Sequence, residues 1–425
     1  MMRQFTAALS GLFLLLLSLG HPAPAQVTDS PVIANSDTVL TGLDVLVQSN
    51  FAPLLGRHIG LVTNQTGITH DSRSAIDVFA HAPGLKLVAL FGPEHGVRGT
   101  AAAGQNVKNG RDAKTGLPIY SLYGGTRKPT TAMLRGIDTL VFDMQDIGSR
   151  SYTYIATMGQ CMEVCAARHI AFVVLDRPNP IGGNRVEGNI TEPGFRSFVS
   201  PYPIPYCHGL TVGELARMIN GRGYLPGHAH CTLTVVPMQG YRRTMRPEET
   251  GLPWVPTSPH IPYPSSPYFY AATGIVGELS ALSVGIGTRV PFALAGAPGL
   301  NANAFASELN RRGLRGVTFK PVQWQPDHGI YTRQICTGVQ IVLTDPNRAE
   351  LSRLNFELMD ATRRIAPSLV FFNGSKEHTR MFDLSCGTSQ VRRLFLAGKS
   401  SGQIWATWNA GSARFRELRK PYLLY

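Results

Sequence analysis

Thr139-Leu-Val-Phe-Asp143-Met-Gln145-Asp146-Ile-Gly-Ser-Arg150-Ser-Tyr152-Thr-Tyr154 leads into a run ending at Arg168, and Ala171-Phe-Val-Val-Leu175-Asp176-Arg177 follows. Residues 139–142 and 171–175 are short, apolar and rich in β-branched side chains, as strands buried on both faces are. Residues 154–168 carry no helix breaker beyond one glycine and read as a helix. A strand–helix–strand unit of this kind belongs to a parallel sheet. Each strand ends on charge: Asp143 with Asp146 after the first, Asp176 with Arg177 after the second.

Outward from this unit the alternation continues. Residues 58–63, 86–91 and 233–236 read as further strands, and 72–81 as a helix. Thr211-Val-Gly-Glu214 has the spacing of a capping box and opens another helix. The fold class expected is α/β: a Rossmann-like, doubly wound parallel sheet over residues 39–240. With 425 residues the chain exceeds one typical core. A smaller α/β or α+β domain is therefore expected over 241–425, with strands at 317–322 and 339–343 and helices at 304–311, 349–365 and 401–409. Between Pro201 and Pro267 the chain carries Pro-Tyr-Pro-Ile-Pro-Tyr and Leu-Pro-Trp-Val-Pro-Thr-Ser-Pro-His-Ile-Pro-Tyr-Pro. A central sheet does not absorb so many prolines, so this stretch reads as a crossing between domains.

The N-terminus is a separate object. Arg3, the apolar stretch 5–19 and Ala23-Pro24-Ala25 form a secretory signal over residues 1–25, with cleavage after Ala25 and a flexible lead over 26–38. The stretch is shorter than the ~20 residues that span a bilayer, so no stable membrane span is expected after cleavage. The protein is expected to be exported, to the periplasm or beyond the cell. A net charge of +13, spread as arginine pairs such as Arg242-Arg243 and Arg392-Arg393, suits an anionic cell-wall glycan better than nucleic acid. Six cysteines permit disulfides, with Cys207–Cys231 one pairing, whereas Cys161 and Cys165 read as buried apolar filler.

The chemistry suggested is that of carboxylates. The chain has no G-x-G-x-x-G loop, P-loop or HExxH, and no cofactor or metal is expected. Glu94, in Gly92-Pro-Glu-His95-Gly96, follows a strand between a residue that fixes its own φ and one that permits a tight reversal. If the strands are parallel neighbours, Glu94, Asp143, Asp146 and Asp176 gather at one sheet edge, where open α/β sheets bind ligands. Glycoside hydrolysis needs a carboxyl pair of this kind. Tyr152 and Tyr154 offer faces to a sugar, and Arg150 or Arg177 a fork for a carboxylate. Each residue also has a scaffolding reading: a tyrosine hydroxyl satisfying buried backbone, or an arginine neutralising Asp143 or Asp176. His208 and His260, in proline-rich loops, are weaker candidates.

At these residues the chain resembles the exo-acting β-N-acetylmuramidases of bacterial cell-wall recycling, formerly known only as a domain of unknown function. The resemblance rests on GLVTNQTG, LFGPEHGVRG, GLPIYSLYGG, FDMQDIGSRSYTY, LDRPNPIGG followed by VEGN, HGLTVGELA and RKPYLLY, from about residue 42 to 425. It implies a Rossmann-like domain, a smaller C-terminal domain and an active site in the cleft between them. The implied activity is removal of N-acetylmuramic acid from the non-reducing end of peptidoglycan fragments. By matching motif, Glu94 is the leading catalytic residue, with His95, Asp143 and Asp146. Gln145, Arg150, Tyr152, Tyr154, Arg177, Asn179, His208, His260 and Glu278 are placed around the substrate. The chain departs from the family pattern at Ser258-Pro-His260-Ile-Pro262, where many members have Ser-Pro-Asn-Met-Pro. It departs again at Gly285-Ile286-Gly287-Thr288, where they have Gly-Arg-Gly-Thr. A muropeptide-binding protein without catalysis, or a hydrolase of another glycoside or an ester, are the alternatives.

Overall fold

Strand β5, Thr139–Asp143, is buried along its whole length, and its side chains alternate between two cores. Leu140 and Phe142 join the cluster built with the helices Tyr154–Arg168 and Val212–Gly221. Val141 joins the opposite cluster, with Leu43, Leu46, Ile76 and Phe79. The period-2 alternation of a strand covered on both faces thus builds a three-layer αβα unit. The computed structural model describes residues 38–94, 96–98, 109–372 and 374–425. The signal over 1–25, most of the lead over 26–38, and His95 lie outside the described residues.

The other strands are β1 His58–Thr63, β2 Lys86–Gly92, β3 Gly110–Arg111, β4 Pro118–Ser121, β6 Ala171–Leu175, β7 Leu233–Val236, β8 Leu294–Ala297, β9 Val317–Trp324 and β10 Cys336–Leu343. The first sheet has seven strands in the order β3-β4-β2-β1-β5-β6-β7, all parallel except β3. From β1 the chain winds outward one way to β2 and β4, then returns to start β5 on the other side. The switch point lies between β1 and β5, where Thr63 pairs with Asp143. The crevice beyond the carboxyl ends is the ligand edge of such a sheet.

Two capping boxes fix helix starts at this sheet. Thr211 and Glu214 open Val212–Gly221 as the spacing predicts, and Thr41 with Asp44 opens Gly42–Gln48. A second sheet, ordered β8-β10-β9 and antiparallel, packs with helices Ser266–Gly277, Ala302–Arg311 and Leu354–Ile365 around another core. Ile181, Tyr206 and Cys207 reach into that core from loops of the first sheet. The last residues return to the first sheet: the Tyr425 hydroxyl donates to Asp176 Oδ2 at 2.8 Å and accepts from the Met238 N–H at 2.7 Å.

All six cysteines are free and buried, so Cys207 and Cys231 form no bridge. Both sit among apolar neighbours in hydrophobic cores, and a core of this size does not depend on disulfides. Among the described residues, no helix is long and apolar enough to cross a membrane.

Candidate active site

The acidic residues do gather along one sheet edge, but they meet different surroundings there. Asp143 is sealed. Arg177 Nε donates to its Oδ1 at 2.6 Å and Arg177 Nη2 to its Oδ2 at 3.0 Å, and neither side chain is more than 5 % exposed. Burial raises the Asp143 carboxyl from its ordinary range, against the pull of Arg177. Asp176 is equally internal. It accepts from the backbone N–H groups of Arg177 and Gly213 and from the hydroxyls of Thr211 and Tyr425. Burial still pushes it up to about 6. Neither carboxylate keeps an open face for a reacting atom.

Asp146 stands between these cases. Its Oδ2 accepts the Gly148 N–H at 2.7 Å, and its buried Oδ1 has no hydrogen-bond partner among the described residues. Burial pushes this carboxyl up to about 7 against the backbone N–H groups of Gly148 and Ile147. The reversal beside it needs glycine: Gly148 has φ +80°, and a Cβ there would lie 2.2 Å from Asn179 Oδ1. His208 is buried opposite, its Nε2 3.9 Å from Asp146 Oδ2. Its Nδ1 accepts the Leu210 N–H at 3.2 Å, so the ring proton sits on Nε2 and points towards Asp146. Burial drops His208 to about 3, which keeps it neutral.

The other arginine is turned into the scaffold. Arg150 is fully buried, and its guanidinium donates to Ser200 Oγ and to the carbonyls of Asn189, Ile204 and Ser385. It ties the loop after β5 to helix Lys376–Cys386, and burial brings it down to about 10. The fork anticipated for a substrate carboxylate is therefore spent on three carbonyls and the Ser200 hydroxyl. Asn179 likewise serves the scaffold, donating to the Leu210 carbonyl and accepting from the Ile181 N–H. Arg177 differs in one respect. Beyond Asp143 and the Ile68 carbonyl, it lines a cavity of about 140 Å³ with Gln145, Thr66, Thr69 and Trp254. Gln145 is held there by its Nε2, which donates to the carbonyls of Asp146 and Pro178.

Glu94 ends the turn after β2 and is partly exposed. Its carboxylate meets the phenol of Tyr123, which burial and then the Glu94 charge hold above its ordinary range. The same charge reaches Tyr154 and Tyr270, whose phenols burial has already raised. Tyr154, Tyr152, Tyr270 and Phe292 form a chain of edge-to-face contacts with centroid spacings of 4.9, 5.8 and 4.9 Å. The proline-rich segment pins this wall: Tyr152 donates to Thr257 Oγ1 at 2.7 Å and Tyr154 to the Thr257 carbonyl at 2.5 Å. Glu278, at the end of helix Ser266–Gly277, is near enough to Tyr270 for its charge to act on that phenol, and is pushed up to about 7 by burial. The edge thus joins a partly open carboxyl, a wall of tyrosines and two carboxyls that desolvation raises, Asp146 and Glu278. Such an arrangement suits proton transfer to a polar, ring-shaped ligand.

Residues 59–265 match the N-terminal part, and residues 268–425 the C-terminal part, of the family described as exo-beta-N-acetylmuramidase NamZ. The chain belongs to this family. The peptidoglycan beta-N-acetylmuramidase NamZ of Bacillus subtilis is 41 % identical over 392 residues, 92 % of each chain. A crystal structure of a DUF1343 family protein from Bacteroides fragilis superposes with a TM-score of 0.87 at 45 % identity, covering 92 % of this chain and 99 % of that one. A second protein of that family and organism gives 0.74 at 31 %, covering 91 % and 99 %. The NamZ family is one of glycoside hydrolases, the class of enzyme to which this chain therefore belongs.

Within the NamZ frame, Tyr123, Tyr270, Phe292 and Thr257 join the site without having been singled out from sequence. The segment GLPIYSLYGG contains Tyr123 and pointed near it. Tyr270 lies on a helix that begins at Ser266, inside what reads as a proline-rich crossing. His260 sits beyond Thr257, with its Nε2 3.3 Å from His328 Nε2. The second departure from the family pattern touches the same turn, since Ile286 packs against Gly329.

Proposed function

We propose that the protein is an exported exo-β-N-acetylmuramidase that removes N-acetylmuramic acid from the non-reducing end of peptidoglycan fragments, with Glu94 as general acid. The observation that carries the role of Glu94 is the contrast in access along the sheet edge. Glu94 is partly exposed beside Tyr123, Tyr154 and Tyr270, whereas Asp143 and Asp176 are enclosed by scaffold partners. Glu94 protonates the leaving glycosidic oxygen. The tyrosine wall packs on the sugar, and Asp146 and Glu278 lie behind it, where positive charge develops on the ring. The lactyl carboxylate of the substrate meets Arg177 in the cavity shared with Gln145, because Arg150 has no side left to offer.

The test is release of N-acetylmuramic acid from a chromogenic β-N-acetylmuramide. Glu94→Gln should lower turnover about 10²–10⁴-fold, the usual contribution of a general acid, and leave the melting temperature unchanged. Undiminished turnover in that variant would remove Glu94 from the mechanism. Export is tested separately by N-terminal sequencing of the protein made in its own cell. A start at Gln26 supports the signal reading, and a start at Met1 overturns it.

A further inference from the structure

We propose that His260 and His328 form a binding site for a divalent transition-metal ion of the zinc, nickel or copper type, clipping the loop 258–262 to the turn 327–329. The two rings face each other through their Nε2 atoms, 3.3 Å apart, with ring planes 23° apart and centroids at 5.6 Å. A tetrahedral ion with nitrogen ligands at ~2.0–2.1 Å requires those nitrogens about 3.3–3.4 Å apart, so the two Nε2 atoms stand at ligand spacing. The rings, which point head-on at each other, tilt off their common line to aim both lone pairs at the ion. On its far side His328 meets Asp327, whose Oδ1 engages His328 Nδ1. A carboxylate there holds the ring proton on Nδ1 and leaves the Nε2 lone pair outward, the arrangement that orients metal-bound histidines. His260 completes the pair through its own Nε2. Imidazole donors favour zinc, nickel and copper over calcium and magnesium. The side chains of His328 and Asp327 are 60 % and 80 % exposed, so water can fill the remaining positions.

The place in the fold gives the ion a consequence. The loop of His260 follows Thr257, which pins Tyr152 and Tyr154. The turn of His328 belongs to the chain between β9 and β10 and is fastened to the 285–288 loop by the Asp327 N–H to Gly287 carbonyl bond at 2.9 Å. A bound ion therefore ties the tyrosine wall to the second sheet. Another group with ligand spacing, Asp44, His70 and Asp71, is a poorer candidate, because Asp44 already accepts from Thr41 and from both N–H groups of His70.

The test is calorimetric titration of the tag-free protein with zinc chloride. The expected result is saturable binding of one ion per chain, with a raised melting temperature. His260→Ala and His328→Ala should each abolish it while folding normally, since neither ring belongs to a core. Asp327→Asn should weaken it about 10–100-fold, and His70→Ala should leave it intact. No saturable zinc binding by the wild type, retention in His328→Ala, or equal binding of magnesium would each overturn the proposal.

Discussion

The sheet edge above β5 and β6 and the edge above β2 and β4 begin alike, with an acidic residue at or just past an apolar strand, and end differently. Above β5 and β6, Asp143 and Asp176 are buried and wholly engaged by Arg177, Thr211, Tyr425 and backbone N–H groups. Above β2, Glu94 keeps partial exposure and tyrosine neighbours. Position at a strand end brings a carboxylate to the edge, and what packs around it then decides between scaffold and chemistry. Buried ion pairs hold geometry at the cost of desolvation, and they leave no lone pair for a substrate.

The comparison can be broken first at its two extremes. Glu94→Gln should remove activity and spare stability. Arg177→Met should lower stability as well as substrate binding, leaving Asp143 buried without its partner and lowering unfolding free energy by about 3–5 kcal/mol in urea titrations. A stable Arg177→Met protein would mean that the pair is not scaffold. Arg150→Ala comes next. It strands three buried carbonyls and should destabilise by about 1–3 kcal/mol or more, because each lost partner leaves an acceptor unsatisfied. If Arg150→Ala instead weakened only substrate binding, Arg150 would have to face the cleft.

Asp146 sharpens the comparison through pH. Its carboxyl is raised to about 7 in the fold, against about 4 in an unfolded chain. Between those values the native state holds a proton that the unfolded state has lost. This contribution to stability is complete below about pH 4 and is lost as pH rises through 7, at up to about 1.4 kcal/mol per pH unit. Asp146→Asn should flatten the fall in stability over that window, while Glu278, also raised to about 7, keeps its own share. An unchanged slope would place Asp146 in a wetter setting. The smallest effect is expected from Tyr152→Phe, which removes one hydrogen bond to Thr257 worth about 1 kcal/mol and loosens the wall. A modest rise in KM with little change in kcat is the expected readout.

Much of the first sheet was legible because its signals are local. Strands β1, β6 and β7 and helix Tyr154–Arg168 fall where the apolar runs put them, and the Thr211 box closes as its spacing requires. Less legible were β4, which starts on Pro118, and β8, which is Leu-Ala-Gly-Ala, since neither has strand-like composition. Helix Ser266–Gly277 was hidden by the prolines before it, although Pro267 fits the first turn of a helix. In the site, Arg177 neutralising Asp143 and Tyr154 satisfying a backbone carbonyl were both readings open from sequence. That both bonds form is visible only once the neighbours are in place.

The sequence by itself determined that the carboxylates meet on one edge, because strand polarity and the β–α–β crossover follow from apolar periodicity within a few tens of residues. Which of those carboxylates is enclosed and which stays partly exposed was decided only by the tertiary structure. Arg150 is consumed by Ser385, 235 positions away, and Tyr152 is pinned by Thr257, 105 away. Asp176 is closed over by Tyr425, 249 away. Burial and partner choice depend on groups brought together by folding, and desolvation, which sets the charge state of each carboxyl, has no local signature in the chain.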